Sequence, residues 1–579
     1  MNILGICNGE TSSACLMING EIESAASEER FSRIKMDRSF PLKSIQFCLD
    51  NAALSYMDID VVSYSWAKGF QQELLQQYLD RINKLKNDQA AKKIAADRKK
   101  WEIFQDNKNR KDFDDWVDKN INVAKTIVKD YYHHEAHAAS AAYFSPFNNG
   151  VAMTCDGRGD FESATISDYD RFALKPLTKI YSALSIDSIG YFYGRITGLL
   201  GFKPGRHEGK ITGLAAYGDK KIALGLCRKM IDVENGIVKS SLGEFYSPFF
   251  QPYSSTLEDE IKKYKREDVA ASAQYHLENM MCNLLDFYLE KGNYSNVNLM
   301  LAGGVFGNVK ATQKLKELKR VKSIYVQPQM GDGGLCLGAA ALANEELLIK
   351  SKSQVNKRLT HELKSMFLGP NISSIPSKNK SKFHFEDLEL KTAPKKLASV
   401  INNNIVVGII QGRMEFGPRA LCNRSILYKT SDVRINDWLN KRLRREEFMP
   451  FAPVIREEVA NDVINQFDPS DVSLKFMTST VQCKDSFSLK SPATVHIDGT
   501  ARPQIVSKES NLFIWHVLKE WENLTNELAL VNTSFNAHEE PIICDETQGL
   551  SALKNNCIDE LWVIYENNKI RRYSNNSLY

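Results

Sequence analysis

The 11 cysteines of this 579-residue chain include no C-x-x-C pair, and the chain has no G-x-x-x-x-G-K-[ST] loop and no H-E-x-x-H motif. The first absence argues against a zinc or disulfide framework and for reduced thiols in a cytosolic protein. The second excludes a P-loop nucleotide site, and the third excludes the common zinc-protease arrangement. Nor does any stretch reach the roughly 18–20 apolar residues that a membrane span needs. The opening Met1–Cys7 lacks a basic leader and soon meets Asn8 and Glu10, so it reads as a first strand and not as a signal peptide. Charge of one sign is also scarce: 75 basic against 71 acidic residues leave a net +4, too little to imply nucleic-acid or membrane binding. The expected location is the cytoplasm.

What is present is enough for more than one core. At 43% apolar and 25% charged, a chain this long should divide into two or more mixed α/β domains. Ile3–Cys7, Ala14–Ile18 and Glu21–Ala26 read as strands, the last two joined by Asn19-Gly20, a type I′ turn signal. Residues 70–128 mix Lys and Arg with Asp and Glu in a helical pattern, which predicts a solvated helical insertion, with a basic docking surface as the alternative. Further strands are expected at Ile405–Ile410, Leu528–Val531 and Leu561–Tyr565, and no internal repeat is visible. The Lys/Ser/Asn/Pro-rich stretch near 349–383 reads as a linker, giving domains 1–350 and 385–579 joined by 351–384.

His133 and His137 stand four apart before an alanine-rich helical stretch, so both imidazoles can share one helix face. That spacing alone is weak. Two strand ends add carboxylates: Val151–Cys155 runs into Asp156, and Ser323–Val326 is followed by Gly331-Asp332-Gly333-Gly334. Two imidazoles with two carboxylates would suit iron, manganese or zinc. Glycine turns after strands, at Gly303-Gly304-Val305 with Asn308 and at Gly331–Gly334, allow backbone N–H groups to approach a phosphate or a purine. In the second domain Arg413, Arg419 and Arg424 surround a Gly-Pro turn, and Lys441–Phe448, His496–Gln504 and Val531–Asn536 add further cations, hydroxyls and amides. Arginines interleaved with Gly, Pro and Phe form a planar anion receptor more often than a solvated face.

Taken in order, Ser27–Arg33, Glu208-Gly209-Lys210 with Gly213–Gly218, Gln411–Leu421, Asp498–Arg502 and Asn532–Asn536 resemble the NodU/CmcH family of O-carbamoyltransferases over nearly the whole chain. The resemblance implies an actin-like ATPase fold for the first domain and a YrdC-like α/β fold for the second. It implies that the second domain activates carbamoyl phosphate with ATP and Mg2+ to carbamoyl-adenylate and pyrophosphate. The first domain would then pass the carbamoyl group to a hydroxyl of a small-molecule or glycan acceptor, releasing AMP. Metal ligands would fall on His133, His137, Asp156 and Asp332, with iron the first choice of divalent metal. Nucleotide contacts would fall on Gly303, Gly304, Val305, Asn308, Gly331 and Gly333. Carbamoyl phosphate and ATP contacts would fall on Arg413, Arg419, Arg424, Arg444, Arg502, Ser534 and Asn536.

Catalytic roles are expected for His137, Arg502, Ser534 and Glu10. Glu10-Thr11 stands where the family carries His-Asp, so the acceptor-side base must be Glu10 or another group; Arg444 stands where many members have lysine. A fused tRNA threonylcarbamoyl-adenosine synthase would need a basic RNA-binding face. A hydrogenase-maturation carbamoyltransferase should bring paired cysteines, and a non-catalytic nucleotide-binding protein is the remaining alternative. The acceptor and the oligomeric state, homodimer included, stay open.

Overall fold

Strands β1 (Asn2–Cys7), β2 (Ser13–Ile18), β3 (Glu21–Ser27), β4 (Val61–Tyr64) and β5 (Ile127–Asp130) form one sheet in the order β3-β2-β1-β4-β5. The β2–β3 turn has φ of 52° at Asn19 and 87° at Gly20, the type I′ geometry that its sequence predicts. Next come β6 (Asn149–Gly159), β7 (Glu162–Asp170), β8 (Leu177–Leu184), a separate small hairpin of β9 (Ile231–Glu234) and β10 (Ile237–Ser240), then β11 (Val297–Ala302) and β12 (Val321–Val326). Apart from the hairpin, these strands build a second five-stranded sheet, β12-β11-β6-β7-β8. In each sheet the first strand pairs antiparallel with the second and parallel with the fourth. The plan is therefore used twice, which is the duplicated architecture expected of an actin-like ATPase fold. No sequence repeat announces it, because what repeats is the strand order.

The computed structural model describes residues 1–69, 71–85, 88–243, 245–350, 360–372, 383–445 and 448–575. Its contacts divide the chain into Met1–Ala25 with Arg38–Leu363, and Ala26–Asp37 with Lys364–Tyr579. Much of the stretch read as a linker, 351–384, lies outside the described residues, as do Glu446 and Glu447 of one cationic cluster. Among the described residues no helix is long and apolar enough to cross a membrane.

The second unit is built on β13 (His384–Leu388), β14 (Val407–Gln411), β15 (Arg424–Lys429), β16 (Ala452–Arg456), β17 (Val481–Gln482), β18 (Thr500–Ala501), β19 (Gln504–Val506), β20 (Ala529–Ser534), β21 (Glu560–Ile564) and β22 (Ile570–Ser574). Eight of them form one mixed sheet, β13-β22-β21-β14-β15-β20-β16-β19. Val407, Ile409, Leu427, Leu530 and Trp562 face a core completed by helices Ala393–Asn402 and Leu512–Thr525. Their neighbours Ile410, Ile426, Val531, Leu561 and Val563 face a second core on the other side. Burial on both faces explains why these strands read as unbroken apolar runs.

Among the described residues of 70–128 most charges stay accessible, as a solvated insertion requires, with one buried stripe as the exception. The segment forms helices Gln72–Asn83 and Gln89–Asn120, and the longer one buries Arg98, Glu102 and Asp106. Arg98 pairs with Glu102 at 2.6 Å, Asp106 pairs with Arg158 at 2.6 Å, and the Arg98 guanidinium lies 4.1 Å from the ring centre of Tyr191. Charges at i, i+4 and i+8 share one helix face, and here that face meets partners of opposite sign.

Candidate metal centre and anion site

Helix His133–Ala142 starts where β5 ends, and its first turn is held by His133 N–H donating to Asp160 Oδ2 at 2.7 Å. This helix and Leu335–Lys350 approach closely enough that a Cβ on Gly338 would lie 1.8 Å from Ala136 O. A side chain on Gly159 would meet the His133 ring at 2.1 Å, so glycine there leaves room for the imidazole. Asp156, on β6, and Asp332, beyond β12, complete a set whose donor atoms all lie within 4.8 Å of one another. His133 Nε2 is 2.8 Å from Asp156 Oδ2 and 3.9 Å from Asp332 Oδ1; His137 Nε2 is 3.2 and 3.8 Å from the same atoms.

These residues fit a divalent cation. Ligands about 2.0–2.2 Å from a metal are themselves about 3.0 Å apart at right angles and about 3.4 Å at tetrahedral angles, close to the separations here. His137 Nε2 and Asp156 Oδ1 are buried and make no hydrogen bond, and a bound cation would satisfy both. The donor set is hard to borderline, matching iron, manganese or zinc. A third imidazole, His134, was not singled out from the sequence. It shares a hydrogen bond with Thr154 Oγ1 at 2.8 Å and places Nε2 3.3 Å from Asp156 Oδ1. Burial outweighs the carboxylates at His133 and holds its pKa below the ordinary value. At His137 burial acts in the same direction, but Asp156 and Asp332 overcome it and the pKa is pushed up to about 9. Burial would raise both carboxyls, yet Asp156 is pulled well down by His134 and His133, and Asp332 is pulled down chiefly by His137.

Around this cluster the glycine turns divide by role. Gly303 has φ of 110°, and a Cβ there would stand 2.3 Å from Cys155 O, so β6–β11 packing already requires it. Gly333 is pressed against the Gln329 side chain, whereas Gly304 and Gly331 meet nothing within 4 Å and are open to a ligand. Val305 lies in the same turn, and Asn308 caps helix Val309–Lys316 through Ala311 N–H at 3.1 Å while exchanging hydrogen bonds with Gln274. Glu10 is half-exposed and ion-paired with Arg38. Its neighbour Gly9 abuts the cluster, since a Cβ there would be 3.7 Å from Asp332 Oδ2.

In the second unit strand register gathers the expected residues at one end of the sheet. Ser534 faces Ser425 next to Arg424, Ala452 faces Asn532, and Gln504 lies beside Val454 two residues after Arg502. Gln411, which ends β14, leads into Arg413 and Arg419 at the same end, both part-buried. Arg424 behaves differently from the ligand contact expected of it. It is wholly buried and donates to the carbonyls of Gln411, Cys544 and Pro370 at 2.7, 3.0 and 3.1 Å, so it braces the loops. Arg413 likewise donates to Leu368 O and Gly369 O. Arg444 is exposed and, with Asn536, lines a cavity of about 290 Å3.

Residues 2–341 match the family described as carbamoyltransferase N-terminus, and residues 398–569 match carbamoyltransferase C-terminus. The chain belongs to the carbamoyltransferase family. It is 30% identical over 556 residues to nodulation protein NolNO of Sinorhizobium fredii, covering 95% of this chain and 77% of that one. It is also 30% identical over 557 residues to the protein MJ1051 of Methanocaldococcus jannaschii, covering 95% and 96%. A solved structure of HypF in its phosphate- and nucleotide-bound form aligns with 61% of this chain and 47% of its own, at 14% identity and a TM-score of 0.32.

Two further residues organise the cationic end of the second unit. Arg445 donates to Thr533 Oγ1 at 3.0 Å, to Ser534 O at 2.8 Å and to Asn536 O at 2.6 Å, which shapes the loop after β20. Buried Glu415 accepts from the N–H groups of Leu421, Asn423 and Arg424 through one oxygen. The available signal for Glu415 was its charge: it is the lone acid of Gln411–Leu421.

Proposed function

We propose that this chain is an ATP-dependent O-carbamoyltransferase with its two half-reactions on separate units. The observation that carries the reading is the division of chemistry: an N2O2 donor cluster in one unit and a cationic sheet end in the other, within a chain that matches both carbamoyltransferase families. Carbamoyl phosphate and ATP are both polyanions, and holding them together requires fixed positive charge. Arg419, Arg444 and Arg502 supply it, with the Ser534 hydroxyl as a donor on the loop that Arg445 shapes and Asn536 holding that loop through its own amide, which donates to Ala537 O and Glu540 O. Atom balance then fixes the products. Carbamoyl phosphate loses inorganic phosphate to water, and the resulting carbamate oxygen attacks the α-phosphorus of ATP, which gives carbamoyl-adenylate and pyrophosphate.

In the first unit His133, His137, Asp156 and Asp332 would hold the divalent cation, iron in the first instance, and a bound cation would act as a Lewis acid toward the carbamoyl adenylate. The open backbone at Gly304 and Gly331, beside Val305 and Asn308, receives the nucleotide part. Glu10, next to Gly9 and ion-paired with Arg38, is the carboxylate we assign to take the proton of the acceptor hydroxyl as the carbamoyl carbon is attacked and AMP leaves. The reaction takes place in the cytoplasm on a small-molecule or glycan hydroxyl. The test is AMP and pyrophosphate release by iron-loaded protein: it must require carbamoyl phosphate and ATP together, and its absence would overturn the reading.

A further inference from the structure

The second unit is not built from the C-terminal part of the chain alone, because Ala26–Asp37 belongs to it. This twelve-residue segment brings Arg30, Arg33 and Lys35. Arg30 Nη2 donates to Gly417 O at 2.8 Å, and Arg33 donates to Ile542 O and Pro541 O, each at 2.8 Å. Arg33 thereby becomes a wall of the cavity that Arg444 and Asn536 also line. Two of its five N–H donors are used on carbonyls, which sets the plane of the guanidinium and leaves the others for a ligand.

The backbone carries an independent sign. Arg33 has φ of 62° and Arg444 has φ of 57°, both in the left-handed region just past a helix C-terminus. Glycine or asparagine fits such positions without strain, and an arginine does not. Two arginines in strained backbone therefore line one cavity. Positive charge is also crowded here. Burial first, then Arg30, holds the Arg33 pKa below the guanidinium norm, and burial, with Arg30 and Arg445 adding to it against Glu29, holds Lys35 below the ordinary lysine value. Among the described residues Glu540 is the one carboxylate of the lining, so an entering anion would relieve the repulsion between the arginines.

We propose that Arg33 and Arg444 together hold a phosphate group in this cavity, which makes Ala26–Asp37 an integral part of the activation site. The inference rests on reading the second unit as the activation domain. Two phosphates satisfy the chemistry: that of carbamoyl phosphate, probed by inorganic phosphate, and that of the nucleotide, probed by magnesium pyrophosphate.

The test is calorimetric titration of the full-length protein with each probe, alongside AMP-release kinetics. Arg33→Met should weaken one probe by about 10- to 100-fold, Arg33→Lys should recover part of that loss, and Arg444→Gln should weaken the same probe. Selective loss of phosphate assigns the carbamoyl donor, and selective loss of pyrophosphate assigns the nucleotide. Native affinity for both probes in Arg33→Met, or no measurable binding of either by the unaltered protein, overturns the proposal. If Arg33→Met fails to fold, native affinity in both Arg33→Lys and Arg444→Gln overturns it. If the unaltered protein binds a probe as described but releases no AMP, the activation reading fails while the phosphate site stands.

Discussion

Glu415 offers the most direct test of how the cationic loop of the second unit is held. It is 2% exposed, and its Oε1 accepts N–H groups at 2.7, 2.8 and 3.0 Å while its Oε2 is buried with no hydrogen-bond partner. Glu415→Gln preserves the shape and the accepting oxygen but removes the charge. A hydrogen bond to an ionised group contributes about 1.5–3 kcal/mol and a neutral one about 0.5–1.5, so three bonds together lose about 3 kcal/mol. The new amide N–H2, at the site of the unpartnered oxygen, costs about a further 1–3 kcal/mol. Relief from burying a charge offsets a similar amount. The net is about 3 kcal/mol. In a unit of roughly 230 residues each kcal/mol moves the midpoint by about 2–4 °C, so its unfolding transition should fall by about 6–12 °C. Differential scanning calorimetry of the full-length protein reads this, and KM for carbamoyl phosphate should rise as Arg413 and Arg419 lose their position. A transition within about 2 °C of the unaltered protein would refute the argument.

Four other outcomes follow from the same geometry. Arg502→Ala should abolish AMP release, whereas His137→Ala should leave adenylate formation intact and block transfer; failure of both at one step would break the division of labour. With its pKa pushed up to about 9, His137 must shed a proton to bind a cation, while His133 is neutral and both aspartates are ionised. Metal affinity followed by competition with a chelator should therefore climb about tenfold per pH unit up to about pH 9 and then level off. In metal-free protein the raised His137 pKa contributes stability that is fully present below about pH 6.5 and lost as pH rises through about 9, so the first unit should melt at a lower temperature at high pH than near neutrality. Arg424→Met should appear as lost folding, about 3–5 kcal/mol in chemical denaturation, because it strips buried carbonyls of their donors.

Local chemistry was legible where short-range rules suffice. Asn19-Gly20 announced its turn, the strands expected at Ile405–Ile410 and Leu561–Tyr565 fall on Val407–Gln411 and Glu560–Ile564, and the i, i+4 spacing put His133 and His137 on one side of a helix. The buried stripe of the otherwise accessible helix Gln89–Asn120 was not legible, because composition cannot show that Arg98 and Glu102 face each other and Tyr191 inside a core. Arg424 looked like its neighbours in sequence, yet only the fold decides which guanidinium meets carbonyls and which lines a cavity. His134 and Glu415, and the bracing role of Arg445 within its cluster, were missed for the same reason: their partners lie on other strands or loops.

The sequence by itself determined the α/β class, the family and the residue types that can bind a cation and polyanions, since these depend on composition, period and contiguous motifs. Only the tertiary structure decided that Asp156 and Asp332, 176 positions apart, converge on one helical histidine pair, and that Ala26–Asp37 joins the unit formed by the C-terminal chain. Both depend on strand order and on where the chain crosses over. Those are settled by the burial of whole sheets and helices, which no local pattern encodes.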